Sequence, residues 1–229
     1  MTALELLSKK LGVHIEPQLL GLALTHSSYA YEQGNLPNNE RLEFLGDSVL
    51  GFVVSAHLHH TFSDLPEGEL TKLRSAVVSA KALSLVAESI DLGQHILLGK
   101  GELQTGGREK TNILADAVEA IFGAVYVSAG FEAARELIGR LVFPLLENPD
   151  QLREQADPKT TLQERVQQAK LAPLKYETGF EGPDHDRVFF SEVFSGKTLL
   201  GEGTGRSRRT AETEAASDAL VRWPHPIQG

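Results

Sequence analysis

The sequence has no cysteine, one methionine and one tryptophan among its 229 residues. The absence of cysteine excludes disulfide bonds, thiolate metal ligands and a cysteine nucleophile, so a metal ion could bind only through oxygen or histidine nitrogen. Apolar stretches are short and interrupted, which predicts no bilayer-spanning segment, and MTALELLSKKLGVHIEP is typical of an amphipathic helix ended by Gly12 and not of a signal peptide. These absences predict a cytoplasmic protein with no membrane partner.

Basic residues are also few. The 22 Lys and Arg stand against 31 Asp and Glu, a formal net charge of −9. A uniformly acidic surface is unfavourable for binding nucleic acid, but this charge is not uniform. Residues 158–229 carry ten basic and ten acidic side chains, which leaves 12 basic against 21 acidic in residues 1–157. The whole acidic excess therefore lies in the first part of the chain.

The spacing of apolar residues divides the chain into two domains. Residues 1–148 are predicted to be all-helical, with helices near 2–11, 17–27, 40–60, 68–91, 111–129 and 131–147. Residues 149–157 are polar and bracketed by prolines, which predicts a linker. Residues 158–226 are predicted to form an α+β domain of order α-β-β-β-α, with both helices on one face of an antiparallel sheet. Its elements are expected near 159–170, 174–180, 187–195, 197–204 and 210–222.

The helix predicted near 40–60 carries acidic side chains at helical spacing. Asn39 is placed to cap it, and Glu40, Glu43 and Asp47 share one face with no lysine to offset their repulsion. A second stripe of the same helix is apolar and is expected to be buried. It consists of Leu42, Leu45, Val49, Phe52, Val53 and Ala56.

A second acidic pair lies in the helix predicted near 111–129. Asp116 and Glu119 are three residues apart in an otherwise apolar segment. Gly51 and Gly123 each follow a carboxylate stripe by one turn, and an interior glycine usually marks a close approach of backbones. We therefore expect the two helices to cross with their carboxylates converging.

Four carboxylates from two helices form an all-oxygen set that suits Mg²⁺ or Mn²⁺. Such a cation would turn the repulsion into ligation and would stabilise the charge that develops on a phosphodiester during displacement. The alternative is a pair of ordinary solvated helix faces. Spacing alone leaves both interpretations open.

The run NERLEFLGDS from Asn39 to Ser48 resembles the signature of the ribonuclease III family, and the similarity extends through PEGELT at 66–71, ILADAVEA at 113–120 and the C-terminal module. The resemblance implies a homodimeric endonuclease that cleaves double-stranded RNA with divalent metal ions, leaving 5′-phosphate and 3′-hydroxyl ends. Mg²⁺ is the implied cofactor, with Mn²⁺ as a substitute, and no small-molecule organic cofactor is implied. Ribosomal RNA precursors and structured messenger RNAs are the implied substrates.

The resemblance also implies roles for single residues. The positions that match the metal-binding carboxylates of the family are Glu43, Asp47, Asp116 and Glu119. Asp47 and Glu119 are expected to be catalytic, with Glu119 the most critical ligand. Glu40 and Glu67 match two further acidic positions near the site.

The C-terminal module resembles a double-stranded RNA-binding domain, through its element order and the run TGRSRRTAE at 204–212. Arg208 and Arg209, at the start of the last helix, are expected to face phosphates, where helix N–H groups also favour anions. Pro183 and His185 would reach one minor groove of the duplex. The first helix would contact ribose hydroxyls in another through Thr160, Gln163, Glu164 and Gln167.

One position of this module departs from the pattern. Glu212 stands where many such modules carry a third basic residue, and the module is neutral overall. This predicts modest affinity for a single module, so that tight binding requires the two modules of a dimer.

Two other functions remain open from the residues. A non-catalytic double-stranded RNA-binding protein would share the C-terminal module, and the intact carboxylate set is what distinguishes an enzyme from it. A DNA nuclease is disfavoured by the minor-groove reader. The partly basic segment 99–110 is predicted to be a flexible loop, either a plain connector or an RNA contact.

Overall fold

The computed structural model of the chain describes residues 3–148, 154, 157–183 and 187–223. The chain forms two compact units, Met1–Leu152 and Arg153–Gly229. In its described part the first unit is helical, and the second is a three-stranded antiparallel sheet with two helices. The predicted fold class, an all-α domain followed by an α+β domain, is confirmed.

The helices of the first unit follow the predicted segments, except that two segments are broken and that two short helices, Ser27–Glu32 and Lys100–Gln104, lie largely where no helix was predicted. The segment near 17–27 is broken around Thr25, whose backbone pairs with Leu97. The segment near 68–91 is broken at Ser79, because its hydroxyl accepts a hydrogen bond from Ala82 N–H at 3.2 Å and starts a new helix. The helices are α1 (Ala3–Leu11), α2 (Pro17–Ala23), α3 (Ser27–Glu32), α4 (Glu40–Thr61), α5 (Glu67–Val77), α6 (Ala80–Ser89), α7 (Lys100–Gln104) and α8 (Thr111–Val142).

Helix α8 forms the centre of this unit. Gly130 (φ 84°, ψ 178°) interrupts it, at the break predicted between 111–129 and 131–147. By length and composition, the helical segment Thr111–Glu147 (mean hydropathy 1.5) could cross a membrane, contrary to our expectation that no segment could. However, 61% of its apolar 18-residue window is buried inside the protein. The burial is that of a core helix in a soluble unit.

Helix α4 packs across α8, and its buried face differs in part from the predicted stripe. Leu42, Val49 and Val53 are buried as expected, and Leu45 is partly buried. The prediction was wrong for Phe52, which is 63% exposed and lies edge-on to Phe131, and for the exposed Ala56. The residues of α4 that do enter the core are Leu42, Gly46, Val49, Leu50, Val53, Val54 and Leu58.

Glycines set the distance between α4 and α8. A Cβ at Gly123 would lie 2.2 Å from the backbone oxygen of Leu42, as the predicted close approach requires. On α4, however, the crossing glycine is Gly46, where a Cβ would lie 1.8 Å from the backbone oxygen of Glu119. Gly51 has no atom within 4 Å of such a Cβ, because it lies about 140° around the helix from Gly46. The prediction for Gly51 was therefore wrong.

The second unit places two helices on one face of a sheet. Strands β1 (Leu174–Glu181), β2 (Val188–Ser195) and β3 (Thr198–Gly205) pair in sequence order, all antiparallel. Helices α9 (Pro158–Gln168) and α10 (Arg208–Arg222) cover the sheet. The shared core is small and aliphatic, and consists of Leu162, Val166, Val193, Leu200, Ala215, Ala216, Ala219 and Leu220.

Two local features define the ends of these elements. Gly196, with φ 63°, makes the tight turn predicted between β2 and β3. Helix α10 begins at Arg208, two residues earlier than predicted, because the Ser207 side chain accepts a hydrogen bond from Thr210 N–H at 3.1 Å.

Candidate active site and RNA interface

Three carboxylates converge where α4 crosses α8. Glu43 comes from α4, and Asp116 and Glu119 come from α8. One ligand oxygen from each lies within 4.8 Å of the other two, and all three side chains are partly buried. Gly46, on α4 between Glu43 and Asp47, permits this convergence because it lets the backbone at Glu119 approach α4 directly.

The carboxylates of the cluster are electrostatically strained. Burial, and then the charges of Asp47, Asp116 and Glu43, raise the pKa of Glu119 to about 8. Burial is also the main cause that raises the pKa of Glu43, followed by the charges of Asp116, Glu40 and Asp47. The pKa of Asp116 is raised by burial. A site in which three acids resist ionisation is one where an added positive charge is strongly favoured.

The other predicted acidic residues lie at different distances from this cluster. Asp47 is exposed and outside the set of three, but it is near enough for its charge to raise the pKa of Glu119 and Glu43. Glu40, exposed at the start of α4, acts on Glu43 in the same way. Glu67, the first residue of α5, accepts a hydrogen bond from Thr71 Oγ1 at 2.8 Å. Its charge is not among those that shift Glu43, Asp116 or Glu119.

The start of α4 is fixed by two asparagines. The capping oxygen belongs to Asn38, whose Oδ1 accepts a hydrogen bond from Glu40 N–H at 3.2 Å. Asn39, which the sequence predicts as the capping side chain, makes no side-chain cap. It is 3% exposed, and its backbone N–H donates to Thr25 O at 2.9 Å. Asn39 is therefore the N-cap residue of α4, as predicted, but the side-chain hydrogen bond at this helix start comes from Asn38.

Sequence reasoning did not identify His26 as a neighbour of the cluster. A positive charge on His26 would lower the pKa of Asp116, against the effect of burial. The ring is oriented by Ser28, whose backbone N–H donates to His26 Nδ1 at 3.2 Å and caps α3. The only signal in the sequence was the polar run Thr25-His26-Ser27-Ser28 between two helical segments. Gly46 was missed as well, although it lies inside the acidic run.

The segment 99–110 contains regular structure, whereas the sequence predicted a loop. It contains α7 and a single 3₁₀ turn, Gly107–Glu109. Arg108 donates to the backbone oxygen of Gly93 at 2.6 Å, and Lys110 forms an ion pair with Glu102. These two cations are therefore engaged within the unit.

In the second unit, the candidate RNA contacts of α9 lie largely on one face. Thr160, Gln163 and Gln167 are exposed and line a cleft of about 590 Å³ together with Tyr176. Glu164 is only partly exposed. Pro183 is exposed in the turn after β1, while His185 lies outside the described residues.

The start of α10 is basic and open to solvent. Arg208 and Arg209 occupy its first two positions and are both exposed. The Ser207 cap satisfies one backbone donor of the first turn, and the remaining donors and the helix dipole favour an anion there.

The chain thus combines an acidic helical unit that contains a candidate metal centre with an α-β-β-β-α unit whose last helix begins with exposed basic residues. This combination is expected of a metal-dependent nuclease that carries its own nucleic-acid-binding domain. Comparison with known families agrees for each unit. The family model described as Ribonuclease-III-like matches residues 16–146, and the one described as Double-stranded RNA binding motif matches residues 158–221.

Relatives cover most of the chain. Ribonuclease 3 of Streptomyces coelicolor is 51% identical over 214 residues, which are 93% of this chain and 78% of the relative. Ribonuclease 3 of Leifsonia xyli is 51% identical over 213 residues, 93% of this chain and 90% of the relative. A crystal structure of the nuclease domain of ribonuclease III from Campylobacter jejuni is 44% identical, with a TM-score of 0.59, and covers 63% of this chain and 96% of that chain.

The chain belongs to the ribonuclease III family, and it is an endoribonuclease that acts on double-stranded RNA. The family and the enzyme class predicted from the sequence are confirmed. The nuclease family model covers the first unit, which contains the acidic cluster, and the second unit supplies the double-stranded RNA-binding motif.

Proposed function

We propose that Glu43, Asp47, Asp116 and Glu119 bind divalent metal ions, Mg²⁺ with Mn²⁺ as a substitute, and that this site hydrolyses phosphodiester bonds of duplex RNA to 5′-phosphate and 3′-hydroxyl ends. The observation that carries the proposal is the convergence of three partly buried carboxylate oxygens within 4.8 Å. An all-oxygen donor set is what hard divalent cations prefer. The raised pKa of Glu119, about 8, marks a site that gains from added positive charge.

Each residue of the set has a distinct place in this proposal. Glu43, Asp116 and Glu119 hold the ion, since their oxygens already converge. Asp47 is exposed beside them, and we propose that it completes the set of ligands. When bound, a divalent cation supplies a more acidic water molecule and stabilises the charge that develops on the phosphodiester. Asp47 and Glu119 are the catalytic residues of the proposal, and Glu40 and Glu67 are acidic residues near it.

We also propose that the enzyme is a homodimer. One structure of the Campylobacter jejuni nuclease domain, with a TM-score of 0.58 and 45% identity to this chain, is described as flexible in a region involved in dimer formation. In this chain, Phe44 and Phe52 of α4 are 77% and 63% exposed. Exposed aromatic side chains on one helix support burial against a second copy. Light scattering of the full chain should give the mass of two chains, and a monomer at micromolar concentration would contradict the proposal.

For the RNA-binding unit, the proposed contacts are Arg208 and Arg209 to phosphates, and Pro183 and His185 to one minor groove. The proposed contacts of α9 to the other minor groove are Thr160, Gln163, Glu164 and Gln167. The exposure of the two arginines and of three α9 side chains supports this surface. We place the catalytic domain at residues 1–148, the linker at 149–157 and the RNA-binding domain at 158–226, in a cytoplasmic enzyme that processes ribosomal RNA precursors and messenger RNAs.

The deciding experiment incubates a long RNA duplex with the full chain, with and without Mg²⁺. Wild type should cleave only with the metal, and Glu119→Gln should lose cleavage while it retains binding. Glu88→Gln is the matched control, because Glu88 is an exposed glutamate on α6 outside the cluster. Cleavage by Glu119→Gln at the wild-type rate would contradict the proposed site. Binding without cleavage by wild type would instead support the non-catalytic alternative.

A further inference from the structure

Glu212 in α10 lies at the centre of a polar contact between both helices and the sheet of the RNA-binding unit. Its Oε2 accepts a hydrogen bond from Lys159 Nζ of α9 at 2.7 Å. Its Oε1 accepts one from Thr178 Oγ1 of β1 at 3.4 Å and lies 3.7 Å from Nε of Arg208. The Glu212 side chain is only 18% exposed, so these contacts are partly shielded from water.

Lys159 is doubly engaged by this arrangement. Besides the ion pair, its ammonium group lies 4.7 Å from the centre of the Tyr176 ring. Both contacts stabilise the charged ammonium group in this position. Lys159 is also the neighbour of Thr160 and lines the same cleft as Gln163 and Gln167, on the face proposed to meet RNA. A basic group beside the RNA surface is therefore already satisfied by a carboxylate of the protein.

We propose that Glu212 limits the affinity of this unit for duplex RNA, by occupying the ammonium group of Lys159 and screening the guanidinium group of Arg208. Affinity for a nucleic acid rises with the number of phosphates that free cations neutralise. A carboxylate that pairs with one cation and lies beside another lowers that number, and it also repels phosphates directly. Of the basic side chains near the proposed RNA surface, some are therefore not free to neutralise phosphates. The inference rests on the proposed RNA contacts at the start of α10.

The test measures binding of the full chain to a duplex of about 20 base pairs, longer than the roughly 16 base pairs that such a unit spans, in EDTA so that the RNA stays intact. Glu212→Gln should tighten binding by roughly three- to tenfold at low salt, and it should steepen the plot of log Kd against log salt concentration by about one to two. The salt dependence reports the number of phosphates neutralised, which a merely structural role of Glu212 would not increase. Unchanged or weaker binding by a Glu212→Gln protein that melts like wild type would overturn the inference.

Glu214→Gln is the matched control. Glu214 lies on the same helix, is exposed, and has no ion pair among the described residues. The substitution removes the same charge without releasing Lys159 or Arg208, so we expect less than about a twofold change in Kd. If Glu214→Gln tightened binding as much as Glu212→Gln does, the change in net charge alone would explain the gain in affinity. That result would overturn the inference.

A reciprocal variant keeps the test decisive if Glu212→Gln is unstable. Lys159→Gln should weaken binding by less than about twofold in the wild-type background, because the ammonium group is already engaged. The same change made in Glu212→Gln should remove most of the gained affinity. If Lys159→Gln alone weakens binding as much as Arg209→Gln does, Lys159 already contacts phosphate and the inference is wrong.

Arg209→Gln separates this inference from the proposed RNA interface. If the interface is correct, Arg209→Gln should weaken binding several-fold and reduce the salt dependence by about one. No effect of Arg209→Gln would refute the interface itself. A loss with Arg209→Gln, combined with no gain from Glu212→Gln, would refute only the role of Glu212.

Discussion

Replacement of Gly46 by alanine tests whether the helix crossing sets the geometry of the carboxylate cluster. A Cβ at this position would lie 1.8 Å from the backbone oxygen of Glu119 and 2.6 Å from its carbonyl carbon, whereas ordinary contact begins at 3.4 Å. Because the obstacle is backbone, no change of rotamer relieves the clash, and α4 and α8 must separate by more than about 1 Å. Glu43 would then move away from Asp116 and Glu119.

The expected cost has a structural and a catalytic part. Overpacking of this kind lowers the free energy of unfolding by about 1–3 kcal/mol. A displacement of about 1 Å at a catalytic centre can lower the rate about 100-fold. We therefore expect Gly46→Ala to cleave duplex RNA at about 1% of the wild-type rate in Mg²⁺, and to unfold at lower urea concentration.

Gly51→Ala provides the control on the same helix. A Cβ there meets no atom within 4 Å, and alanine is favoured over glycine in a helix by about 0.5–1 kcal/mol. This variant should keep wild-type cleavage with equal or higher stability. Initial rates on a labelled duplex and urea unfolding monitored by circular dichroism measure both effects. If Gly46→Ala cleaves and unfolds like Gly51→Ala, the crossing does not position the site and the reasoning fails.

Three further predictions address the charge of the cluster and the packing of the second unit. The pKa of Glu119 is raised from 4.5 to about 8, so the folded chain holds this proton more tightly than the unfolded chain does. In EDTA, the stability that this proton contributes below about pH 4.5 should be lost progressively as the pH rises through about 8. Urea unfolding should show that decline in wild type and much less of it in Glu119→Gln, and equal declines would contradict the assignment. In the second unit, Gly203→Ala would place a Cβ 2.2 Å from the backbone nitrogen of Ala215. This variant should therefore weaken the packing of β3 on α10 and lower the affinity for RNA. Wild-type RNA affinity and melting temperature would show that β3 and α10 can move apart without cost. Ser207→Ala removes the cap of α10 and should cost about 1 kcal/mol of unfolding free energy, whereas Ser207→Asp should restore it; equal stability of the two variants would argue against the cap.

Several features could be predicted because their causes are local. The break at Gly130 and the turn at Gly196 follow from glycines with positive φ. The order of the second unit follows from the change between helical and alternating apolar spacing. The acidic stripe that contains Glu43 follows from helical periodicity alone. None of these depends on which distant segment packs against the element.

The errors share a different cause. Gly51 and Gly46 are equally good candidates for a helix crossing in the sequence, and only the position of α8 distinguishes them. Phe52 fits an apolar stripe, but the crossing at Gly46 turns a different face inwards. Asn39 is the N-cap residue of α4, as predicted, but the side chain that accepts a hydrogen bond there belongs to Asn38. The outcomes for Gly46 and Phe52 were decided by the contact between α4 and α8, two helices far apart in the chain.

By itself, the sequence determined the two-domain order, the helical and α+β classes, and the acidic residues of the candidate site, because periodicity, turn chemistry and motif spacing are properties of neighbouring residues. Only the tertiary structure decided which carboxylates meet. It brings Glu43, Asp116 and Glu119 within 4.8 Å and leaves Asp47 at the exposed edge. It also pairs Glu212 with Lys159, 53 residues away, so that a charge counted as basic in the sequence is balanced inside the fold. The physical reason is that ion pairing and the convergence of carboxylates depend on distances between helices and strands. The packing of the backbones sets these distances, and local sequence does not.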